Sequence, residues 1–281
     1  MSTEIIEGFR LSPQQEHLWL LQQVTKSSVY RVSCSVLIEG NIKASNFLAA
    51  LQNIVNRHEI FRTEFEYVPG MAVPVQVIAN SKAILCEQHN LCDCHAEEQE
   101  VRIAELFQEF NQRDFDLEKN SPLHTSLVKL SLLRHILLIS LPALYGDGTT
   151  LSNLVSELCC SYTNSLQNHE IFDEPLQYAD FSEWQNELIE SEKAEIGREY
   201  WRKQDLSDIR NFQIPFEKYV NEKTEFKPEF ISLIINADFT NNIQAIAQKY
   251  HTSISVFILA CWSILLWRVT QQQSLIIGRA L

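Results

Sequence analysis

The sequence predicts an α/β fold, and three stretches carry that expectation. Residues 136–141 form an apolar run rich in branched side chains and closed by Pro142, which reads as a strand buried on both faces. Gly146-Asp147-Gly148 then supplies a tight turn, and Leu151, Leu154, Val155, Leu158, Cys159 and Tyr162 recur at helical spacing, so a helix opens near Thr149. Earlier, Val32, Cys34, Val36 and Ile38 alternate as in a half-buried strand ending at Gly40, and a helical pattern follows over residues 44–56. With 281 residues the chain can build one large domain or two lobes.

Composition narrows the function classes. Hydrophobic residues at 45% and charged residues at 21% are ordinary for a globular protein. A net charge of −13 argues against nucleic acid or an anionic membrane as partner, since both require clustered Lys and Arg. Seven cysteines without framework spacing point to reduced thiols and a cytoplasmic protein. Residues 1–10 lack the apolar stretch of a signal peptide. The longest apolar stretch, 254–267, is interrupted by Ser255 and Ser263 and falls short of the ~20 residues of a membrane span.

The elements follow in order. Ser12 caps a helix whose first position suits Pro13, with Leu18 and Leu21 on one face and Trp19 and Leu20 beside them. After the strand at 32–38, Phe47, Leu48, Leu51, Ile54 and Val55 mark the helix of 44–56, which runs through residues 56–65 toward another strand. Residues 79–100 are the least regular part. Cys86, His89, Cys92, Cys94 and His95 crowd into this one polar segment instead of forming two separated ligand pairs, so a surface connection with incidental thiols is preferred over a zinc site and no metal is expected. Val101, Ala104, Phe107 and Phe110 stripe a helix over 96–113, and a turn-rich approach at 115–123 leads to a strand over 125–133 that forms a hairpin with the 136–141 strand. Beyond the helix of 151–164, Pro175 closes a polar connector, and a long charged helix runs from Tyr178 to Tyr200-Trp201. A strand at 230–235, a helix capped by Thr240, a buried helix capped by Thr252 or Ser253, and a strand over 274–281 complete the reading.

Several stretches together resemble the condensation domains of nonribosomal peptide synthetases. Leu11-Ser12-Pro13-Gln14-Gln15-Glu16-His17-Leu18-Trp19 is similar to the family's opening motif, and Arg57-His58-Glu59-Ile60-Phe61-Arg62-Thr63-Glu64-Phe65 matches its second at every fixed position. Phe115-Asp116-Leu117 and Pro122-Leu123 resemble the approach to its core hairpin. Tyr178-Ala179-Asp180-Phe181-Ser182-Glu183-Trp184 matches the fourth motif with Phe181 for a Tyr, while Arg198, Tyr200 and Trp201 resemble the usual end of that helix. Residues 275–281 resemble the fifth motif. The resemblance implies a chloramphenicol acetyltransferase-like fold of two α/β lobes around a tunnel. It places a complete N-lobe in residues 1–177 and the start of a C-lobe in 178–281, with the family domain continuing past Leu281. On that expectation the apolar helix face around Trp262 and Trp267 stands exposed.

The family's core motif is His-His, three residues, then Asp-Gly. Asp147 and Gly148 match the Asp-Gly, but Pro142 and Ala143 occupy the histidine positions. In the family the second histidine positions the attacking amine, or handles its proton, as it meets a thioester held on a second carrier protein. Imidazole suits that work because it titrates near neutrality. Ala143 has no proton to exchange, and Pro142 excludes the cyclising branch, which uses aspartate there. Tyr145 and His124 are the weak substitute candidates; His135 lies before the strand, His58 reads as structural, and His17 has no assigned place. The resemblance further implies an ion pair between Asp147 and Arg62, no directly bound cofactor, and substrates carried on the phosphopantetheine arms of acyl or peptidyl carrier proteins beside neighbouring synthetase domains. Two functions follow: an impaired amide-forming enzyme, or a noncatalytic module that recruits partners.

Overall fold

The computed structural model describes residues 8–25, 30–113, 122–167, 174–205, 214–215, 233–272 and 275–278. Helix α1 (Pro13–Thr25) starts where Ser12 and Pro13 place it. Strand β1 (Arg31–Glu39) ends at Gly40, whose φ of 126° is open to glycine and strained for other residues. Helix α2 (Ala44–Arg57) follows, and one 3₁₀ turn, Glu59–Arg62, leads into the hairpin of β2 (Thr63–Glu66) and β3 (Val75–Ile78). Strand β4 (Cys86–Asn90), helix α3 (Ala96–Gln112), strands β5 (His124–Lys129) and β6 (Arg134–Pro142), and helix α4 (Gly148–Gln167) complete the core elements.

The main sheet has the order β1-β6-β5-β4, antiparallel except for the parallel β4–β5 pair. β6 lies inside this sheet, and its alternation feeds two cores. Leu137, Ile139 and Leu141 meet Phe47, Leu51, Ile54 and Val55 of α2 and Leu151, Leu154 and Leu158 of α4. Leu138 turns the other way, toward Leu106 and Phe110 of α3 and Val128 of β5. Double burial is therefore why 136–141 is apolar apart from Ser140, whose hydroxyl is bonded by Ser33 at 2.8 Å, while β1, at the sheet edge, alternates.

Several expectations need correction. The segment read as an irregular surface connection contains β4, which pairs with β5 through Cys86↔Thr125 to Asn90↔Lys129; its polar residues suit a short edge strand. The strand expected over 125–133 stops at Lys129, and residues 130–133 form the hairpin turn. The approach at 115–123 lies outside the described residues as far as residue 121.

The chain divides into two compact units between Ala194 and Glu195, later than the expected 177/178 boundary. The reason is helix α5 (Tyr178–Glu190), which the segment before α1 holds. Ser182 Oγ donates to the Arg10 carbonyl at 2.7 Å, Asn186 Nδ2 donates to the Leu11 carbonyl at 2.8 Å, and the Tyr178 and Ser12 hydroxyls are 2.8 Å apart. Arg10 adds ion pairs to Glu183 and Glu190. The long charged helix is interrupted after Glu190: Ser191 is extended and its hydroxyl bonds the Leu188 carbonyl, a local competitor for the helical ladder.

In the second unit, helices α6 (Glu195–Arg202), α7 (Ala237–Lys249) and α8 (Ile254–Thr270) are described. Asn236, not Thr240, caps α7 by accepting from the Phe239 N–H at 2.9 Å, whereas Ser253 caps α8 as expected. α8 is not buried: Trp262 is 50% exposed and Ile264 57%. The strand expected at 230–235 lies outside the described residues up to 232, and Leu233–Ile235 carry no ladder. Residues 275–278, the described part of the expected 274–281 strand, have no partner strand among the described residues and are likewise irregular. Among the described residues no single helix is long and apolar enough to cross a membrane.

Candidate functional site

The site is built on the end of β6. Pro142 closes the strand opposite Arg31 of β1 and is buried. The Ala143 N–H continues toward the same neighbour and donates to the Tyr30 carbonyl at 2.9 Å. The chain then turns, with the Tyr145 N–H donating to the Pro142 carbonyl at 3.0 Å. Tyr145 points into the core: its ring is 5.3 Å from Phe65, edge to face, and its hydroxyl donates to the Thr63 carbonyl at 3.2 Å. Burial pushes the phenol well above its ordinary pKa, and Glu64 adds to the shift. A neutral phenol whose proton is already committed to a carbonyl is unsuited to base catalysis.

Asp147 serves as the cap of α4. Its carboxylate accepts from the Thr150 N–H at 2.8 Å and from the Thr150 hydroxyl at 2.9 Å, while its own N–H donates to Thr150 Oγ1 at 3.1 Å. These bonds, the Thr150 N–H foremost, hold the carboxyl below its usual range. The expected Asp147–Arg62 ion pair is absent. Arg62 donates to the Ala79 carbonyl at 2.6 Å and faces Glu59 at 3.6 Å. Thr150 supplies both donors locally, so the carboxylate is satisfied without a distant arginine. Asp147→Ala should therefore cost about 1 kcal/mol, the value of a helix cap, instead of the ~3–5 kcal/mol of a broken buried pair. In a double-mutant cycle with Arg62→Ala, the two losses should add within ~0.5 kcal/mol.

His135, His124, His58 and His17 do not converge on Ala143. His135 is not before the strand but within β6, between Ile38 and Lys129 and 5% exposed. Seven residues of strand lie between it and Ala143, eight steps or about 26 Å at the usual rise. His124 lies on β5 opposite Ser140, with its ring 6.2 Å from Phe110. His58 Nε2 lies 2.7 Å from Glu157 on α4, in a ~180 Å³ surface pocket with Ile54, Phe61 and Leu154, so its partner is structural. His17 is exposed on α1. Among the described residues no cluster of His, Cys, Asp or Glu side chains is arranged to hold a metal ion.

Burial holds both His124 and His135 below the ordinary histidine pKa, with cationic neighbours adding to it. The folded state therefore binds fewer protons than the unfolded chain, and stability should fall as pH drops below about 6.5, the unfolded value. Urea midpoints measured between pH 7.5 and 5 should show this slope, and His135→Leu should flatten it.

Sequence reasoning missed the amide pair behind the loop. Gln15, 2% exposed, donates through Nε2 to the Leu144 carbonyl and to Gln76 Oε1, both at 3.1 Å. Its Oε1 accepts from the Ser12 N–H at 3.0 Å, and the Gln15 N–H donates to Ser12 Oγ at 3.2 Å. The signal was present, because Ser12-x-x-Gln15 has the spacing of a reciprocal capping box.

This arrangement, a mixed sheet with a loop at the end of an internal strand, belongs to the chloramphenicol acetyltransferase-like class of α/β folds. The chain is a member of the condensation-domain family, whose model matches residues 6–280. It is 28% identical over 275 residues to bacitracin synthase 3 of Bacillus licheniformis, a match that spans 97% of this chain and about 4% of that protein's length. The first condensation domain of the calcium-dependent antibiotic synthetase, solved with a substrate analogue, aligns at a TM-score of 0.79 with 16% identity, covering 95% of this chain and 61% of its own. An X-domain from teicoplanin biosynthesis, solved in complex with OxyB, aligns at 0.70 with 19% identity, covering 95% and 58%.

Proposed function

We propose that the chain is a condensation-type module of a nonribosomal peptide synthetase that keeps the fold but has lost the amide-forming chemistry, and that it acts by binding carrier proteins and neighbouring synthetase domains. The carrying observation is Ala143. The motif position that handles a proton holds a methyl group, and the candidate substitutes are placed elsewhere: Tyr145 is committed to the Thr63 carbonyl, His124 packs against Phe110, and His135 sits far along β6. The X-domain solved with OxyB supports the reading, since a related fold there engages another protein.

The phosphopantetheine arm of a carrier protein would enter as substrate carrier, with no cofactor held by the chain itself. The test pairs two measurements: binding of carrier proteins by fluorescence anisotropy, and amide formation from two loaded carriers. Saturable binding with amide formation at the uncatalysed rate is expected, a loss in keeping with the ~10²–10⁴-fold contribution of an acid–base group. Turnover above background overturns the reading and makes Tyr145 and His124 the first residues to replace.

A further inference from the structure

We propose that the buried amide pair Gln15–Gln76 is a positioning device of the Pro142–Gly148 loop, holding the Leu144 carbonyl independently of the side chains at 142 and 143. The loop's other backbone anchors are common turn and strand-end bonds, Ala143 N–H to the Tyr30 carbonyl and Tyr145 N–H to the Pro142 carbonyl, while the Tyr145 hydroxyl holds the Thr63 carbonyl and Asp147 caps α4 through Thr150. The Leu144 carbonyl is different. It is met by a side chain from α1, and Leu144 itself is 2% exposed, so no solvent substitutes for that donor. Gln76, fully buried on β3, fixes the orientation of the Gln15 amide: its Oε1 accepts from Gln15, and its Nε2 donates to the Arg10 carbonyl at 2.9 Å. With Gln15 Oε1 taken by the Ser12 N–H, both ends of the Gln15 amide are assigned, and its donor end is left facing the loop.

The pair acts whatever side chains stand at positions 142 and 143. The anchor is a backbone carbonyl, which any residue at position 144 supplies. Gln15 is thus a positioning residue, acting through the Leu144 carbonyl on the side chains to either side.

Hydrogen–deuterium exchange on the whole chain tests the assignment. Gln15→Leu should raise exchange across residues 143–148 by about tenfold or more relative to β1, β5 and β6. Gln52→Leu removes a glutamine that bonds the Ile84 N–H and Lys82 carbonyl away from the loop, and should leave 143–148 unchanged. Gln15→Glu gives a signature that general destabilisation does not produce. Ionised at pH 9, the carboxylate has no proton for the two acceptors and loop protection should be low. Protonated as pH falls toward 5, its single O–H donates to the Leu144 carbonyl again and loop protection should rise, although the native protein loses stability over the acidic part of that range. Uniform loss across the unit in Gln15→Leu overturns the proposal. So does an unchanged loop, or absence of the pH reversal in Gln15→Glu; the last arm decides the matter if Gln15→Leu does not fold.

Discussion

Ile139→Ala is expected to destabilise the first unit by about 2–5 kcal/mol, read as a lower urea midpoint with little change in slope. Ile139 is fully buried at the middle of β6, paired with Cys34 of β1 on one side and Thr125 of β5 on the other. Its side chain enters the larger core, where α2 and α4 cover the sheet. Removing it leaves a cavity walled by two helices and a strand whose backbone is hydrogen-bonded on both edges, so the site has little freedom to collapse. Leu37→Ala, on the edge strand β1 and 49% exposed, should cost well under 1 kcal/mol. Equal effects of the two substitutions would show that β6 is not the internal strand.

Gly146→Ala is expected to cost about 2–4 kcal/mol, although it adds a single methyl group. A Cβ at Gly146 would stand 2.5 Å from Thr150 Cγ2 and 2.7 Å from both its Cβ and Oγ1. Thr150 cannot yield without breaking its reciprocal bonds to Asp147, so overpacking of roughly 1–3 kcal/mol comes together with loss of a helix cap worth about 1. Gly148→Ala is the contrast. It opens α4, nothing lies within 4 Å of its Cβ, and the substitution should be neutral or stabilising by up to ~1 kcal/mol. Thr150→Gly removes all three clashing atoms, so adding Gly146→Ala to it should cost much less than in the native protein. Strict additivity of the two would contradict this account.

Local chemistry made much of the first unit legible. The apolar run of β6, the Ser12-Pro13 start of α1, the alternation of β1 and the stripes of α2, α3 and α4 are periodic signals, because each element must bury one face or two. The missing histidines needed no structure either: Pro142 and Ala143 are visible in the sequence itself. Long-range pairing was not legible. β4 reads as polar connection because an edge strand gains its identity from β5, which lies beyond the whole of α3 in sequence. α8 reads as buried because its own sequence is apolar on every side, yet burial depends on what surrounds it. Asp147 and Arg62 looked like partners through a family resemblance. Thr150 takes the carboxylate as a local cap, Glu59 lies one turn from the guanidinium, and the tertiary arrangement added the Ala79 carbonyl to it. The sequence by itself thus determined which residues are available for chemistry and which strands and helices carry their own periodic pattern; the tertiary structure decided the edge strand β4 and which distant donors reach which acceptors, since hydrogen bonds between distant segments depend on positions to within a few tenths of an ångström that no local pattern encodes.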